Sequence, residues 1–248
     1  MIEQPDLPVN APESSLIRAA ALFFQALLAA AILLALLILV LPGPVFLALS
    51  NYLQIAAAVT AGLALLYLWR RAAGNAWLMY AAAAVLLWGF SNIAWYALVL
   101  LGQREQVFPG FIDAGMIGSL LLLAYALLKG FEKRPAIAYL SLAIIVVAVL
   151  IPVYLILVTG ISASSLVTLS YFIACGCLMA TAIDHAFAAD WRIALGALLF
   201  ALAFMVYPLR EMLFVTNPAL SVIGTFVSAG FTLIVLGMIA VVPVQKDP

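Results

Sequence analysis

The sequence predicts an all-α fold, a polytopic membrane helix bundle with about eight transmembrane helices. Of its 248 residues, 69% are hydrophobic and 8% are charged, whereas soluble domains carry about 25% charged residues. The mean hydropathy is +1.29, and the apolar residues form runs of roughly 20, the length that crosses a bilayer. Because these runs are continuous and do not alternate with polar residues, a transmembrane β-barrel is excluded.

Turn-forming residues define the helices in order, since proline and glycine interrupt helices and favour turns. The first helix ends at Pro42-Gly43-Pro44, the second before Gly74-Asn75, the third before Pro109-Gly110, the fifth at Gly160 and the seventh before Asn217-Pro218. The eight predicted helices lie near 16–41, 45–69, 76–101, 108–129, 136–159, 163–188, 191–213 and 218–243.

The predicted helices form two halves with a short tail at each end. Residues 1–15 are polar, acidic and proline-bearing, unlike the basic start of a signal peptide, and are expected to be a disordered cytoplasmic tail. A first four-helix half covers 16–130, a second covers 131–243, and 244–248 form a short cytoplasmic tail.

The distribution of lysine and arginine predicts how the bundle is oriented. Basic residues accumulate on the cytoplasmic side of membrane proteins. One predicted side holds eight of them and the other side holds two, so both termini are expected to be cytoplasmic in a multi-pass protein of the cell membrane. The eight are Arg18, Arg70, Arg71, Lys129, Lys133, Arg134, Arg192 and Lys246, and the two are Arg104 and Arg210.

The two halves also resemble each other, which predicts an internal repeat. An ungapped shift of 114 positions brings identical residues into register, and four helices per copy would give both copies the same orientation. The matched pairs include Ser50 with Ser164, Gly62 with Gly176, Trp77 with Trp191, Phe90 with Phe204 and Gly110 with Gly224.

Composition argues against several kinds of chemistry. The formal net charge is zero, whereas a nucleic-acid partner would need a basic stripe. His185 is the single histidine, so two imidazoles cannot hold a haem and no zinc ligand set is present. Cys175 and Cys177 lie two apart on one helix and cannot form a disulfide. The sequence predicts no catalytic residue, metal or cofactor, and it favours a non-enzymatic protein.

Polar residues in the third, fourth and seventh predicted helices are the candidate ligand-binding residues. Ser91 and Asn92 lie between two tryptophans at mid to outer depth, where polar groups must find hydrogen bonds inside the protein. They either join helices or line the floor of an outward-facing pocket. In the second half, Tyr207-Pro208-Leu209-Arg210 lies close to the position that corresponds to this polar pair in the first half. The candidate set is Ser91, Asn92, Trp95, Asp113, Tyr207 and Arg210.

A tryptophan-rich pattern in the third and fourth helices carries a family resemblance. Trp77, Trp88-Gly89 before a polar pair, Trp95, and Pro109 with Asp113 resemble multi-helix membrane input regions that precede diguanylate cyclase or histidine kinase modules in bacterial and archaeal sensors. The resemblance covers about residues 76–130, with a fainter echo at 190–243. Such regions often carry an acidic residue where this chain has Asn92. The resemblance implies a sensor that signals through a separate partner protein.

These observations predict a sensor-like or partner-docking module with a pocket for a small or lipophilic ligand, in contact with the lipid bilayer. One alternative is a hydrophobic subunit of a larger membrane complex, for example a respiratory, quinone-interacting one. Another is a facilitator-type transporter of a neutral solute. A lipid-modifying intramembrane enzyme ranks last, because paired buried carboxylates for acid–base work are not apparent in the sequence.

Overall fold

The computed structural model describes residues 11–41, 43–72, 75–102, 109–132, 138–187, 189–212 and 222–242. Within these ranges the chain is helical and contains no strand. The helices are α1 (Ala11–Leu36, followed by a 3-10 turn at Leu37–Leu39), α2 (Gly43–Arg71), α3 (Ala76–Leu100), α4 (Phe111–Gly130), α5 (Ala138–Thr159), α6 (Ala163–Thr181, continued by a π-helical turn at Ala182–Ala186), α7 (Trp191–Met212) and α8 (Ile223–Val241).

The predicted all-α class and helix number are confirmed, because the described residues form eight helices long and apolar enough to cross a membrane. Two boundaries differ from the prediction. Helix α1 begins at Ala11, inside the segment predicted as a tail, and Pro12 lies in its first turn, where proline is tolerated. The sixth helix changes to π geometry at Ala182 and does not remain α-helical to 188.

Contacts between the helices follow a closed ring. Helix α2 packs against α3, α3 against α4, α4 against α6, α6 against α7, α7 against α8, and α8 returns to α2. Helix α1 lies outside this ring, mainly against α8, and α5 lies outside it against α6. Most large side chains of α5 are exposed, as expected for a helix that faces lipid on most of its surface.

An aromatic cluster fills the interior of the ring. The Trp88 ring of α3 is 1% exposed and meets the rings of Phe200, Phe204 and Phe231 with centroid distances of 6.1, 6.1 and 5.1 Å. Edge-to-face contacts at these distances are favourable beyond the area that they bury. We call these four residues the aromatic plug, because they join α3 to α7 and α8 across the middle of the bundle.

Helices α7 and α8 touch through their backbones. A Cβ atom on Gly196 would lie 2.5 Å from the Gly230 carbonyl oxygen, and one on Gly230 would lie 2.8 Å from the Gly196 carbonyl oxygen. Small residues at helix interfaces permit such close approach inside membranes, where packing replaces the hydrophobic effect as the source of association.

Basic side chains gather at one end of the bundle. Helices that are consecutive in the chain are antiparallel, as shown by contacts of Gly62 with Leu86 and of Gly130 with Trp77. The ends of α2 and α4 and the starts of α1 and α7 therefore lie together. We call this the basic end; it carries Arg18, Arg70, Arg71, Lys129 and Arg192. Lys133, Arg134, Lys246 and Arg104 lie outside the described residues.

Replacing Gly196 by alanine tests the contact between α7 and α8. The new methyl group would collide with the backbone of α8 and should destabilise the protein by about 1–3 kcal/mol, lowering the thermal melting point in mild detergent. Gly118→Ala is the matched control, because its Cβ would meet the Leu87 side chain at an ordinary 3.5 Å. Equal melting points for the two variants would contradict the backbone contact.

Candidate functional site

A cleft opens inside the ring, on the side of the aromatic plug away from the basic end. The space that a water-sized sphere can occupy in it is about 60 Å³, and the atom-free space including the open mouth is about 540 Å³. Residues of α2, α3, α4, α7 and α8 line it. Its apolar walls come from Leu47, Met116, Phe204, Ile223 and Val227, its polar lining comes from Ser50, Asn51, Gln54, Asn92 and Tyr207, and the side chains of Trp88 and Trp95 complete it.

Helix α2 contributes a short polar patch to the cleft. Ser50, Asn51 and Gln54 are 1%, 6% and 7% exposed, and their spacing places them on adjoining faces of two helical turns. The Gln54 amide nitrogen donates to the Asn51 side-chain oxygen at 2.7 Å. Gly224 at the start of α8 faces this patch, and any side chain there would collide with the Ser50 hydroxyl. The patch is therefore held tightly against α8.

Helix α3 contributes three nitrogen donors. Trp88, Asn92 and Trp95 are spaced by four and three residues, which places them on one helical face. Among the described residues, the buried side-chain nitrogens without a hydrogen-bond partner are Trp88 Nε1, Asn92 Nδ2 and Trp95 Nε1. All three residues line the cleft. The unpaired buried nitrogens among the described residues thus belong to residues that line one cleft.

Unpaired donors at this depth are energetically costly. Asn92 is 4% exposed and Trp88 is 1% exposed, and leaving one buried polar group unsatisfied costs about 1–3 kcal/mol. Proteins rarely retain several such groups in one cavity without a partner for them. The cleft is therefore suited to hold an oxygen atom that accepts hydrogen bonds.

Asp113 lies beside the cleft and has partners of its own. One carboxyl oxygen accepts from the Tyr171 hydroxyl and the other from the Gly110 backbone N–H, both at 2.7 Å. The Gly110 contact caps the start of α4. The Tyr171 ring stacks on Phe204, with centroids 5.9 Å apart. Asp113 thus ties the start of α4 to α6 and supports one wall of the cleft from behind.

The structure brings together three of the six candidate residues, since Asn92, Trp95 and Tyr207 line the same cleft. Ser91 lies elsewhere: its hydroxyl donates to the Leu87 carbonyl at 2.9 Å and faces Gly115 of α4. Adjacent residues on a helix point about 100° apart, so Ser91 and Asn92 do not share a surface. Asp113 stands one layer behind the cleft, and the Arg210 side chain lies outside what the structure describes.

Four polar or small residues of the cleft were absent from the candidate set. Ser50, Asn51 and Gln54 form a polar interruption within the apolar second helix, and this interruption is a signal in the sequence that identifies them. Gly224 carries no local signal. Its role depends on the α2–α8 contact, which sequence spacing does not reveal.

A second polar cluster lies at the other end of α6 and involves the π-helical turn. The His185 ring donates through Nδ1 to the Phe131 carbonyl at 2.8 Å, and the Ser141 hydroxyl donates to Asp184. These bonds join α6 to α4 and α5. No group of three histidine, cysteine or acidic side chains in the described ranges is placed to hold a metal ion.

Asp190 caps the start of α7 at the basic end. It accepts from the Arg192 backbone N–H at 2.8 Å and pairs with the Arg192 guanidinium at 2.6 Å. The hydrogen-bonded guanidinium lowers the pKa of the Asp190 carboxyl. A lowered pKa means that this stabilisation is present above the ordinary aspartate range and is lost as the pH falls through the folded-state pKa.

Together, the fold and the cleft define a class: bundles of helices long and apolar enough to cross a membrane, with a partly polar pocket inside a ring of helices. No protein-family model, curated protein or solved structure matches this chain.

Replacing Tyr171 by phenylalanine tests the support behind the cleft. The buried Asp113 carboxyl would lose its hydroxyl donor, which should cost about 1–3 kcal/mol of stability. In an Asp113→Ala background the same change should cost much less, because no carboxyl remains to accept the bond.

Thermal unfolding of the four proteins in this cycle, in one detergent, gives the coupling between the two side chains. Tyr154→Phe is the control, since Tyr154 is an exposed tyrosine of α5. Additive effects of the two substitutions would contradict the described contact.

Proposed function

We propose that this chain is a multi-pass membrane protein that binds a small lipophilic molecule in the cleft and acts as a sensor-like module without catalysing a reaction. The single observation that carries the proposal is the convergence of three unpaired buried donors, on Trp88, Asn92 and Trp95, in one cleft. A bound molecule with oxygen acceptors would remove the cost of burying them.

The proposed location is the cell membrane, with both termini in the cytoplasm. Support comes from the basic end, where Arg70, Arg71, Lys129 and Arg192 gather as basic residues do on the cytoplasmic side. In this orientation the cleft opens toward the outer side of the membrane. A ligand would reach it from the outer leaflet or from outside the cell.

The aromatic plug favours binding over transport. Trp88 sits at the base of the cleft and packs on Phe200, Phe204 and Phe231, so aromatic rings fill the space between the cleft and the basic end. A facilitator would need a path through this cluster. A binding protein needs no such path. The plug forms the rigid floor of the cleft, so a bound ligand can alter the packing of α3 against α7 and α8.

We further propose that the ring arose from two copies of a four-helix unit, each contributing three helices to the ring and one outside it. The α4–α6 contact then corresponds to the α8–α2 contact. Burial supports a shift of 114 between α2 and α6. The buried pairs in this register include Gln54 with Thr168, Ala57 with Tyr171, and Gly62 with Gly176.

The register of the proposed repeat changes by one residue between α6 and α7. Buried faces of α3 and α7 agree at a shift of 115, which pairs Leu78 with Ile193, Val85 with Phe200, and Asn92 with Tyr207. The π-helical turn at Ala182–Ala186 lies between the two registers, and a π turn accommodates one extra residue within a helix. An insertion in the second copy accounts for both observations.

Asn92→Leu tests the proposed function. This substitution keeps the side-chain size but removes an unpaired buried amide, so the ligand-free protein should become more stable by about 1 kcal/mol or more, a rise of about 2–4 °C in melting point. The same variant should retain less ligand. Protein purified from membranes in mild detergent would be extracted with organic solvent and the extract analysed by mass spectrometry.

Ser91→Ala is the matched control, one residue away and facing α4. It should retain the same small molecule as the original protein. If Asn92→Leu destabilises the ligand-free protein, or if the extracts of all three proteins are identical, the cleft is not the binding site and the proposal fails.

A further inference from the structure

We infer that the ligand of this cleft is an uncharged apolar molecule whose polar atoms are carbonyl oxygens. The inference rests on the proposed function and adds the chemical class of the ligand. It follows from the kind of nitrogen atoms left unpaired, from the lack of charge among the described lining residues, and from the shape of the walls.

The unpaired buried nitrogens of the cleft-lining residues are all donors. An indole N–H can donate a hydrogen bond but cannot accept one, and an amide nitrogen also only donates. Trp88 Nε1, Asn92 Nδ2 and Trp95 Nε1 therefore require acceptors from the ligand. Carbonyl oxygens have two lone pairs and no proton, so one carbonyl satisfies two donors at once without bringing an unsatisfied donor of its own.

The lining excludes a charged ligand. Every described residue that lines the cleft is apolar or carries a neutral polar group. A carboxylate or phosphate placed among apolar helices without a counter-charge is strongly disfavoured. Among the described side chains, Asp113 stands behind the cleft, and its two oxygens are already bonded to Tyr171 and Gly110. It therefore does not attract a cation into the cleft.

The walls fit a flat ring or a slender chain. The rings of Trp88, Trp95, Phe204 and Tyr207 border the cleft, and flat aromatic surfaces pack well on planar groups. Leu47, Trp95 and Ile223 are only partly buried and form its mouth. An apolar tail can leave through this mouth, while the carbonyl group stays with the donors below.

Two kinds of membrane molecule offer this chemistry, namely the quinone ring and the ester carbonyl of an acyl lipid. Both present carbonyl oxygens on an apolar body. Binding requires no electron transfer, since the inference concerns hydrogen bonds alone. The experiment has one arm for each source.

In the first arm, isothermal titration calorimetry in mild detergent compares 2,3-dimethyl-1,4-naphthoquinone with 2,3-dimethylnaphthalene. The two probes share a ring system and differ in the two carbonyl groups. Losing one N–H donor should weaken quinone binding about fivefold, the effect of a net hydrogen bond of about 1 kcal/mol. Asn92→Leu and Trp95→Phe should each produce this loss for the quinone and leave hydrocarbon binding unchanged.

In the second arm, 1,2-dioctanoylglycerol is compared with its 1,2-dioctyl ether analogue, which lacks the ester carbonyls. The same two variants should weaken ester binding about fivefold and leave the ether unaffected. The two carbonyl probes, the quinone and the ester, are then compared, and the one that binds more tightly identifies the source of the carbonyl group. Ser91→Ala should behave like the original protein with all four probes, and circular dichroism establishes that each variant is folded.

The inference is overturned if neither carbonyl probe binds, or if each binds no better than its carbonyl-free partner. It is also overturned if Asn92→Leu and Trp95→Phe weaken both members of a pair equally, because the donors would then have no special role. Retention of a different small molecule by the original protein, and its loss in Asn92→Leu, would leave the proposed function standing in each of these cases.

Discussion

Polar atoms among apolar helices must find their hydrogen bonds within the protein, because hydrocarbon supplies none. Hydroxyl groups in this chain meet the requirement locally. Thr60, Ser170, Thr181 and Thr232 each donate to the carbonyl four residues earlier in the same helix. An indole N–H at the far edge of a rigid ring does not have this option. The donors of Trp88 and Trp95 must find their partners outside α3, and both residues line the cleft.

The helix ring determines where that space lies. Close packing between α7 and α8 at Gly196 and Gly230 leaves no gap on that side, and the aromatic plug closes the middle. On the side of α2 and α3, small side chains stand in place of aromatic rings. The polar patch of α2 stands there in place of apolar side chains. The interior is thus closed toward the basic end and open toward the other, an arrangement that suits occupancy by a small molecule without passage through the bundle.

Much of the fold was predictable because each helix is specified by its own composition. Runs of about 20 apolar residues separated by proline and glycine predict helices whatever their neighbours are. The π-helical turn at Ala182–Ala186 was not predictable, since it leaves no signature in the sequence. The order of the helices around the ring was also not predictable, because the α8–α2 and α4–α6 contacts join segments that are distant in sequence.

Part of the candidate site was predictable, because polar side chains are conspicuous within an apolar helix. Asn92 and Trp95 stand out as polar-capable residues in an apolar helix, and Tyr207 stands out beside a proline. Ser91 and Asp113 were grouped with these residues only because of their predicted depth in the membrane. Helical geometry turns Ser91 toward α4, and Tyr171 holds Asp113 in a separate contact. Which side chains share a surface depends on helix rotation, and an apolar sequence without strong amphipathic character specifies rotation weakly.

The most direct test is an experimental density map of the protein extracted together with its surrounding lipids, at a resolution that shows side chains. The account predicts density in the cleft that belongs to no protein atom and lies within hydrogen-bonding distance of Trp88 Nε1 and Asn92 Nδ2. An empty cleft in which these nitrogens are bonded to other protein groups would contradict it.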